Sequence, residues 1–418
     1  MSDALLLLVR DEIRTRGPMT FARFMELALA EPELGYYAQP AARPTREGDF
    51  LTGPELHPVF GRALARQVDD CWRLLGCPDP FTVREYGAGS GALAAAIVEG
   101  LRADVSALLR PSATGASSRL GPSRAGASSA TGASSRAGRA PAAVLHYEPV
   151  ELNAYRRTEL RERLGTAAPE VGVADPTPDG AFVGLVLANE FIDALPVHRV
   201  AMDGGALREI LVGWDDDPTV QAGGRLVDIV ADPTTPALAA RLRGEGVRLE
   251  DGQLAEVRLA DEAWLDEIAR DLARGYVIAI DYGAPAAELY DPARRPAGTL
   301  LAYRGHRVHG DVLADPGEQD ITAHVDLTAL ERAGSARGLA PIGRTTQARF
   351  LVACGLGDLL ETVRSDPATT FEGYLAFRAA LARLLDPRAM GGFAVLVLGR
   401  GLPPGADRLR GLSGAAQG

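Results

Sequence analysis

The stretch FTVREYGAGSG, residues 81–91, decides the fold, because it has the pattern of a short buried strand, a glycine turn and the start of a helix. We expect the helix to continue to about Leu109. Gly87, Gly89 and Gly91 allow the backbone to approach a ligand where Cβ atoms would clash, and the free N–H groups of a helix N-terminus point to the same place. The stretch therefore predicts a ligand site at the end of this strand.

Apolar runs of strand length recur along the rest of the chain. They are AVLHYEP (143–149), FVGLVLANE (182–190), YVIAIDYG (276–283) and FAVLVLGRG (393–401). Strands that alternate with helices predict a mostly parallel sheet, with a ligand crevice at the carboxyl ends of its strands. Shorter alternating runs at about 197–260 indicate an antiparallel addition. The predicted fold is thus α/β, with a Rossmann-like core.

Residues 1–80 are predicted to form a helical segment. Thr20 is expected to cap the helix FARFMELALA, since a threonine hydroxyl can accept a hydrogen bond from the first turn. A second helix is expected to be capped by Thr52 or the glycine after it, to hold Pro54 in its first turn and to continue to about Leu75.

The core is predicted to span residues 81–402 and to contain an insertion at 111–141. The insertion holds two copies of TGASSR and has neither acids nor large aromatic residues, so it cannot bury enough apolar surface to offset its ordering entropy. We expect it to be a disordered surface segment. The glycine- and proline-rich residues 403–418 are expected to form a flexible tail.

Composition and charge exclude several classes of function. The formal net charge of −11 argues against a nucleic-acid groove, which needs a basic face. The chain has no lysine, which excludes Schiff-base and Walker-lysine chemistry. The apolar run Leu5–Val9 is too short to span a bilayer, and nearby acids spoil a signal peptide. We therefore expect a cytoplasmic protein with no nucleic-acid or membrane partner; its oligomeric state stays open.

Glu85, two residues before Gly87, selects among the ligands that a glycine turn can bind. The turn alone also fits the fingerprint of dinucleotide-binding proteins, and the alternative without a ligand is an ordinary strand-turn-helix with a surface acid. A carboxylate at this position would repel a pyrophosphate, whereas it would pair with the ammonium group of S-adenosylmethionine. The predicted cofactor is therefore S-adenosylmethionine.

Glu148 is the predicted ribose-binding acid, because it ends the next predicted strand and a carboxylate can accept both ribose hydroxyls. Without the insertion, its distance along the chain from Gly91 approaches the roughly 20 residues typical of such units. Proteins that bind NAD share this acid, so Glu148 supports a nucleoside and not a particular reaction.

The segment NEFIDALP, residues 189–196, places two acids just past the crevice edge of the sheet. Methyl transfer from a sulfonium mainly requires that the acceptor be held in line and that water be excluded. A guanidinium is permanently protonated, so its nitrogen becomes a nucleophile only if carboxylates orient it and take up its charge. Glu190 and Asp193 are the candidate catalytic residues, Asn189 would hold backbone or cofactor, and Phe191 would form a wall of the pocket. The alternative is that the two acids cap a following helix.

A group of histidines and aspartates later in the chain follows no spacing of metal ligands, so we predict no metal site. The group consists of His306, His309, His324, Asp311, Asp315, Asp320 and Asp326. The three cysteines match no zinc motif either.

Several stretches, in order from residue 17 to about residue 356, resemble the MidA-like family of methyltransferases. They are GPMTFARFMELAL with LGYY, GDFLTGPEL with VFG, EYGAGSG, ANEFIDALPVHR, IDYG, TLLAYRGHRV with DITAHVDLTAL, and TTQARFLVACGL. The chain departs from the family at Gly53, where serine is usual, at Tyr86, where an aliphatic residue is usual, and in its long insertion. The departure at Gly53 puts one hydroxyl contact to the cofactor in doubt.

The resemblance implies a class I methyltransferase core whose N-terminal segment closes over the cofactor, with substrate-side elements at about 197–260 and 284–345. It implies that Asp49, Thr52 and Pro54 take part in this closure, above the glycines and Glu148. His324 would then be a hydrogen-bonding residue near the acceptor.

Mitochondrial members of the family are protein arginine methyltransferases that act in respiratory complex I assembly, so the resemblance implies that activity here. The alternatives are a small-molecule O- or N-methyltransferase and a cofactor-binding assembly chaperone without catalysis.

Overall fold

The computed structural model describes residues 2–38, 52–108, 141–169, 171–176, 180–217, 219, 223–305 and 307–414. Asp49, His306 and residues 111–140 of the predicted insertion lie outside these ranges, and so do the predictions made for them.

The N-terminal segment is helical, as predicted. It contains α1 (Ser2–Arg16), β1 (Met19–Thr20), α2 (Phe21–Ala30), α3 (Gly53–Leu56) and α4 (Val59–Leu74). The Thr20 hydroxyl accepts from the backbone N of Arg23 at 3.1 Å, which confirms the predicted cap. The single helix expected to run to Leu75 is instead two, because His57 precedes Pro58 and takes an extended conformation that ends α3.

The remaining elements alternate between strands and helices. Their first half contains β2 (Phe81–Tyr86), α5 (Ala92–Leu108), β3 (Leu145–Val150), α6 (Ala154–Ala167), β4 (Gly172–Val173), β5 (Phe182–Asn189), β6 (His198–Asp203), β7 (Ala206–Asp216), β8 (Gly224–Ala231), α7 (Pro236–Gly244) and β9 (Leu254–Val257). Their second half contains α8 (Ala260–Asp271), β10 (Leu272–Asp281), β11 (Gly283–Ala284), α9 (Ala286–Leu289), β12 (Leu301–Arg304), β13 (Arg307–His309), β14 (Asp320–Thr322), β15 (Val325–Asp326), α10 (Leu327–Ala336), β16 (Ala340–Thr346), α11 (Gln347–Ala353), α12 (Leu356–Ser365), α13 (Phe371–Leu385) and β17 (Ala394–Arg400).

The central sheet has seven strands in the order β16-β17-β10-β5-β2-β3-β4. Strands β4, β3, β2, β5 and β10 are parallel, whereas β17 is antiparallel to both β10 and β16. The chain adds β3 on one side of β2 and later β5 on the other, which makes the gap between β2 and β5 a topological switch point. Ligands of such sheets bind outside the carboxyl ends of the strands at this point. The predicted α/β core is confirmed.

Helix α4 packs closely on α5 and so brings the N-terminal segment onto the core. A Cβ atom at Gly61 would lie 2.5 Å from the Cβ of Ala96, and one at Gly100 would lie 2.6 Å from the Cβ of Ala65. Only glycine permits this approach of the two helices. The short helix α3 is thereby held beside the first turn of α5, where the glycine turn ends.

The predicted antiparallel addition is also present. Strands β1, β7, β6 and β9 form one path of a five-stranded sheet, in which β8 pairs with β7. Because β1 comes from the N-terminal segment, this sheet ties that segment to the addition.

The residues after 402 are packed through most of their described part, contrary to the expected flexible tail. Ala406 and Leu409 are buried, and the hydroxyl of Tyr276 donates to the carbonyl of Ala406 at 2.6 Å. The backbone N of Gly411 donates to Gln67 of α4 at 2.7 Å. Apolar side chains that stand between the glycines and prolines, such as Leu409, provide this packing.

In the part of the chain that the structure describes, no helix is both long and apolar enough to cross a bilayer.

Candidate active site

A cavity of about 1130 Å³ lies at the carboxyl ends of β2 and β5, the crevice predicted from the order of the strands. Most of the predicted site residues line it: Thr52, Pro54, Glu85, Gly87, Gly89, Asn189, Glu190, Phe191, Asp193 and His324. Gly91 and Glu148 do not, and Asp49 is outside the described residues. The sequence therefore located the cavity and most of its wall.

The three glycines of the turn have positive φ angles, of 69° at Gly87, 53° at Gly89 and 77° at Gly91. A Cβ atom at Gly87 would lie 3.2 Å from Cδ2 of Phe191, which also lines the cavity. At Gly91 it would lie 2.8 Å from Cγ of Leu160 in α6. Gly87 thus keeps the cavity open, whereas Gly91 allows the turn to pack against α6.

Glu85 is a buried carboxyl at the base of the cavity. Its Oε2 atom accepts a hydrogen bond from the hydroxyl of Tyr147. Burial raises the pKa of Glu85 to about 8, and the neighbouring Glu151 adds to the effect. A cation placed beside this group would stabilise the ionised form, as expected for the ammonium group of S-adenosylmethionine.

Buried carboxyls such as Glu85 should make the free protein less stable as the pH rises. The folded pKa of about 8 exceeds the ordinary value of 4.5, so the folded state retains a proton that the unfolded state loses between these values. Stability therefore falls with rising pH across this window. Glu85→Gln keeps an acceptor for Tyr147 but cannot ionise, so we expect it to be more stable than wild type by on the order of 2 kcal/mol at pH 8.

Urea unfolding of both proteins without ligand, at pH 5, 6.5 and 8, measures this difference. The two proteins should differ least at pH 5. A difference that stays constant with pH would contradict the prediction.

Glu148 lies away from the cavity, contrary to its expected position under the ribose. It is level with Arg84 in the β2–β3 ladder and accepts from the Nε atom of that arginine at 2.8 Å. The acid that follows β3 into the cavity is Glu151. Its Oε2 accepts from the backbone N of Gly89 at 2.8 Å, and its Oε1 accepts from that of Asn153 at 2.8 Å. Each carboxylate oxygen keeps a lone pair for a ligand hydroxyl.

Asp281, at the end of β10, shapes the turn that follows β5. Its Oδ2 atom accepts from the backbone N atoms of Phe191, Ile192 and Asp193 at 3.2, 2.8 and 3.2 Å. No helix begins within residues 190–197, so Glu190 and Asp193 do not serve as helix caps. No role was predicted for Asp281, although an acid at the crevice end of the neighbouring strand is a usable signal.

Glu190 extends from this turn with a φ of 49° and lies half-buried in the cavity wall. Its Oε1 atom accepts from the backbone N of Gly53 and from Nδ2 of Asn189, both at 3.1 Å. Its Oε2 atom, like Oδ1 of Asn189, is buried without a hydrogen-bond partner among the described residues. Burial raises the pKa of Glu190 to about 8. Glu190 and Asn189 thus each leave one acceptor atom without a partner among the described residues.

Asp193 and Asp320 add further buried carboxyls to the same part of the cavity. Burial raises the pKa of Asp193 well above its ordinary value, and the carboxyls of Asp281, Asp320 and Glu190 add to the shift. The hydroxyl of Tyr37 donates to Oδ1 of Asp320 at 2.7 Å, while the carbonyl of Tyr37 accepts from Asn153 at 2.8 Å. Tyr37 of the N-terminal segment therefore bridges the Glu151 side and the Asp320 side of the cavity.

Aromatic side chains form the other walls. Phe191 packs with Tyr86 and Trp264 at ring distances of 5.5 and 6.0 Å. The ring of His324 lies 6.0 Å from that of Tyr282. Burial lowers the pKa of His324 to about 4, so this ring is neutral at physiological pH. Within the described ranges, no three potential ligands come together as a metal ion requires.

Comparisons with known proteins agree with this geometry. More than half of the chain, residues 63–113 and 134–345, matches a family described as S-adenosyl-L-methionine-dependent methyltransferases. A crystal structure from Burkholderia thailandensis, bound to S-adenosyl-homocysteine, is 32% identical with a TM-score of 0.79, covering 100% of this chain and 95% of that one.

Curated relatives include the protein arginine methyltransferase NDUFAF7 homolog of Drosophila melanogaster, which is mitochondrial. It is 28% identical over 92% of this chain and 87% of its own. The mitochondrial NDUFAF7 of Mus musculus is 28% identical over 91% and 80%. The family description names S-adenosyl-L-methionine, and the Burkholderia thailandensis structure holds S-adenosyl-homocysteine. The chain therefore belongs to the MidA-like family of S-adenosylmethionine-dependent methyltransferases.

Proposed function

We propose that this methyltransferase modifies arginine side chains of a protein substrate. The observation that carries the proposal is a pair of buried acceptors without partners among the described residues, Oε2 of Glu190 and Oδ1 of Asn189, with the carboxyl of Asp193 in the same cavity wall. A guanidinium offers five N–H donors in a plane and a charge that needs a carboxylate. A neutral acceptor would leave the buried carboxyls without compensation.

The proposed cofactor contacts come from three places. Glu85 would pair with the ammonium group, Glu151 would accept the ribose hydroxyls in place of Glu148, and the turn at Gly87 would accommodate the ligand without a clash. Thr52, the residue before α3, and Pro54 within α3 would cover the cofactor from the N-terminal side. Bound S-adenosylmethionine supplies an electrophilic methyl group on a sulfonium.

The residues of the turn after β5, together with their neighbours in the cavity wall, would orient the acceptor. Oε2 of Glu190 accepts an N–H of the guanidinium, which localises positive charge away from the attacking nitrogen. Because its pKa is near 8 in the free protein, Glu190 is also suited to take the proton that this nitrogen loses after methyl transfer. Asp193 provides a second negative charge, while Phe191 and the bridging Tyr37 exclude water. His324 would donate or accept a hydrogen bond as a neutral ring.

The curated relatives are named as arginine methyltransferases, which supports the proposal for the acceptor. They are also named as mitochondrial, which does not support the cytoplasmic location expected from the sequence.

A survey of tryptic methyl-peptides from cells with and without the gene tests the acceptor. We expect methylarginine peptides that disappear with the gene and return with the wild-type protein but not with Glu190→Gln. A methylated small molecule instead of a peptide would overturn the proposal, and restoration by Glu190→Gln would favour an assembly role without catalysis.

A further inference from the structure

Arg156, in the first turn of α6, is a buried cation on the cavity wall. Only 8% of the residue is exposed, and its Nη1 atom lies 3.6 Å from the position that a Cβ at Gly89 would occupy. The guanidinium thus lies against the glycine turn. Its backbone N donates to the capping side chain of Asn153, which fixes the start of the helix.

The guanidinium of Arg156 has no hydrogen bond or ion pair with any described residue, although its backbone N is bonded. Burial raises the pKa of Glu55 to about 7, and the charge of Arg156 opposes this rise. The two side chains form no ion pair, and Oε2 of Glu55 is buried without a hydrogen-bond partner in the described part of the chain. An arginine in a cavity wall whose N–H donors have no partner among the described residues is suited to bind an anionic ligand group.

The other arginine on the described wall does not compete for this role. Arg23 donates to Glu12 at 3.2 Å and to Glu26 at 2.8 Å, so its charge is already balanced. Because His324 is neutral, Arg156 is the one cationic side chain on the described wall that is left for an anion.

The only anionic group of S-adenosylmethionine and S-adenosylhomocysteine is the carboxylate of their amino-acid portion. Glu85 is placed for the adjacent ammonium, and the N–H of Gly89 is already used by Glu151. We propose that Arg156 binds this carboxylate and so makes the site selective for nucleosides that carry the amino-acid portion. This inference concerns the cofactor alone and does not depend on which acceptor is methylated.

Calorimetric titration with S-adenosylhomocysteine and with 5′-methylthioadenosine, which lacks the amino-acid portion, tests the proposal. Arg156→Gln should weaken binding of S-adenosylhomocysteine at least about tenfold and leave that of 5′-methylthioadenosine unchanged. Arg156→Lys keeps the charge but loses the planar fork, so it should restore part of the affinity. The matched control is Arg161→Gln, which changes a half-exposed arginine on the same helix that pairs with Asp175. This variant should bind both ligands as wild type does.

Three results would overturn the proposal. The first two are an unchanged affinity of Arg156→Gln for S-adenosylhomocysteine and an equal loss of affinity for both ligands. The third is wild-type affinity in the double variant Glu55→Gln/Arg156→Gln, because it would mean that Arg156 only compensates the charge of Glu55. A damaged fold is recognised separately: since the guanidinium bonds to no described residue, Arg156→Gln should melt at the wild-type temperature without ligand.

Discussion

Glu190→Gln is expected to slow methyl transfer on the order of a hundredfold while cofactor affinity stays at the wild-type value. The glutamine carbonyl can still accept from Gly53 and Asn189, so the turn keeps its shape. What is lost is the charge at Oε2, the atom that has no partner among the described residues. Loss of one charge-assisted contact to the reacting group in a dry pocket costs about 3 kcal/mol of the barrier.

A single-turnover assay on the identified acceptor, run beside calorimetric titration of S-adenosylhomocysteine, separates the chemical step from binding. Glu288→Gln, at an exposed carboxylate that pairs with Arg294, is the control for loss of a charge and should react normally. If Glu190→Gln transfers methyl groups at the wild-type rate, the guanidinium mechanism loses its main support. If cofactor binding collapses instead, Glu190 belongs to the cofactor site and Asp193 becomes the candidate for orienting the acceptor.

The sequence predicted those parts of the site whose residues lie close together along the chain. The glycine turn after β2 and the acids after β5 each follow a run of buried residues directly, so the strand end fixes their position at the crevice. Thr20 was recognisable as the cap of α2 because helix N-caps have a strong residue preference. Of the two caps expected for the next helix, Thr52 is the residue before α3, but its side chain makes no capping hydrogen bond.

The error at Glu148 arose because Pro149 was taken as the end of the strand. Proline usually ends a strand or lies at an edge, where its missing N–H does no harm. Here β4 pairs with β3 only at His146 and Tyr147, so the ladder on that side has already ended when the chain reaches Pro149, and β3 continues to Val150. The signal for Glu151 was Asn153, whose capping side chain starts α6 two residues later.

Contacts between distant parts of the chain could not be predicted from local patterns. Tyr37 meets Asp320 across 283 positions, and Asp281 meets the backbone of Ile192 across 89. Neither residue belongs to a motif whose spacing encodes its partner. Both contacts depend on the order in which the strands assemble and on how the N-terminal segment packs over them.

The second large effect is expected for Gly87→Val, which should reduce affinity for S-adenosylhomocysteine more than about a hundredfold, since a branched side chain resists this backbone conformation. The new Cβ would lie 3.2 Å from Cδ2 of Phe191, so either the phenyl ring or the valine side chain would move into the space of the ligand. The φ of 69° adds backbone strain.

Gly204→Val separates crowding from strain. Gly204 has a φ of 57°, but a Cβ there would meet nothing within 4 Å, and the residue does not line the cavity. This control should therefore lose some stability and keep its affinity for the cofactor, because strain alone does not fill the ligand site. Gly87→Ala, with a single methyl group, should fall between wild type and Gly87→Val. Equal affinities of Gly87→Val and wild type in calorimetric titration would mean that the turn does not contact the ligand, and the cofactor would then have to bind at the Glu190 side of the cavity.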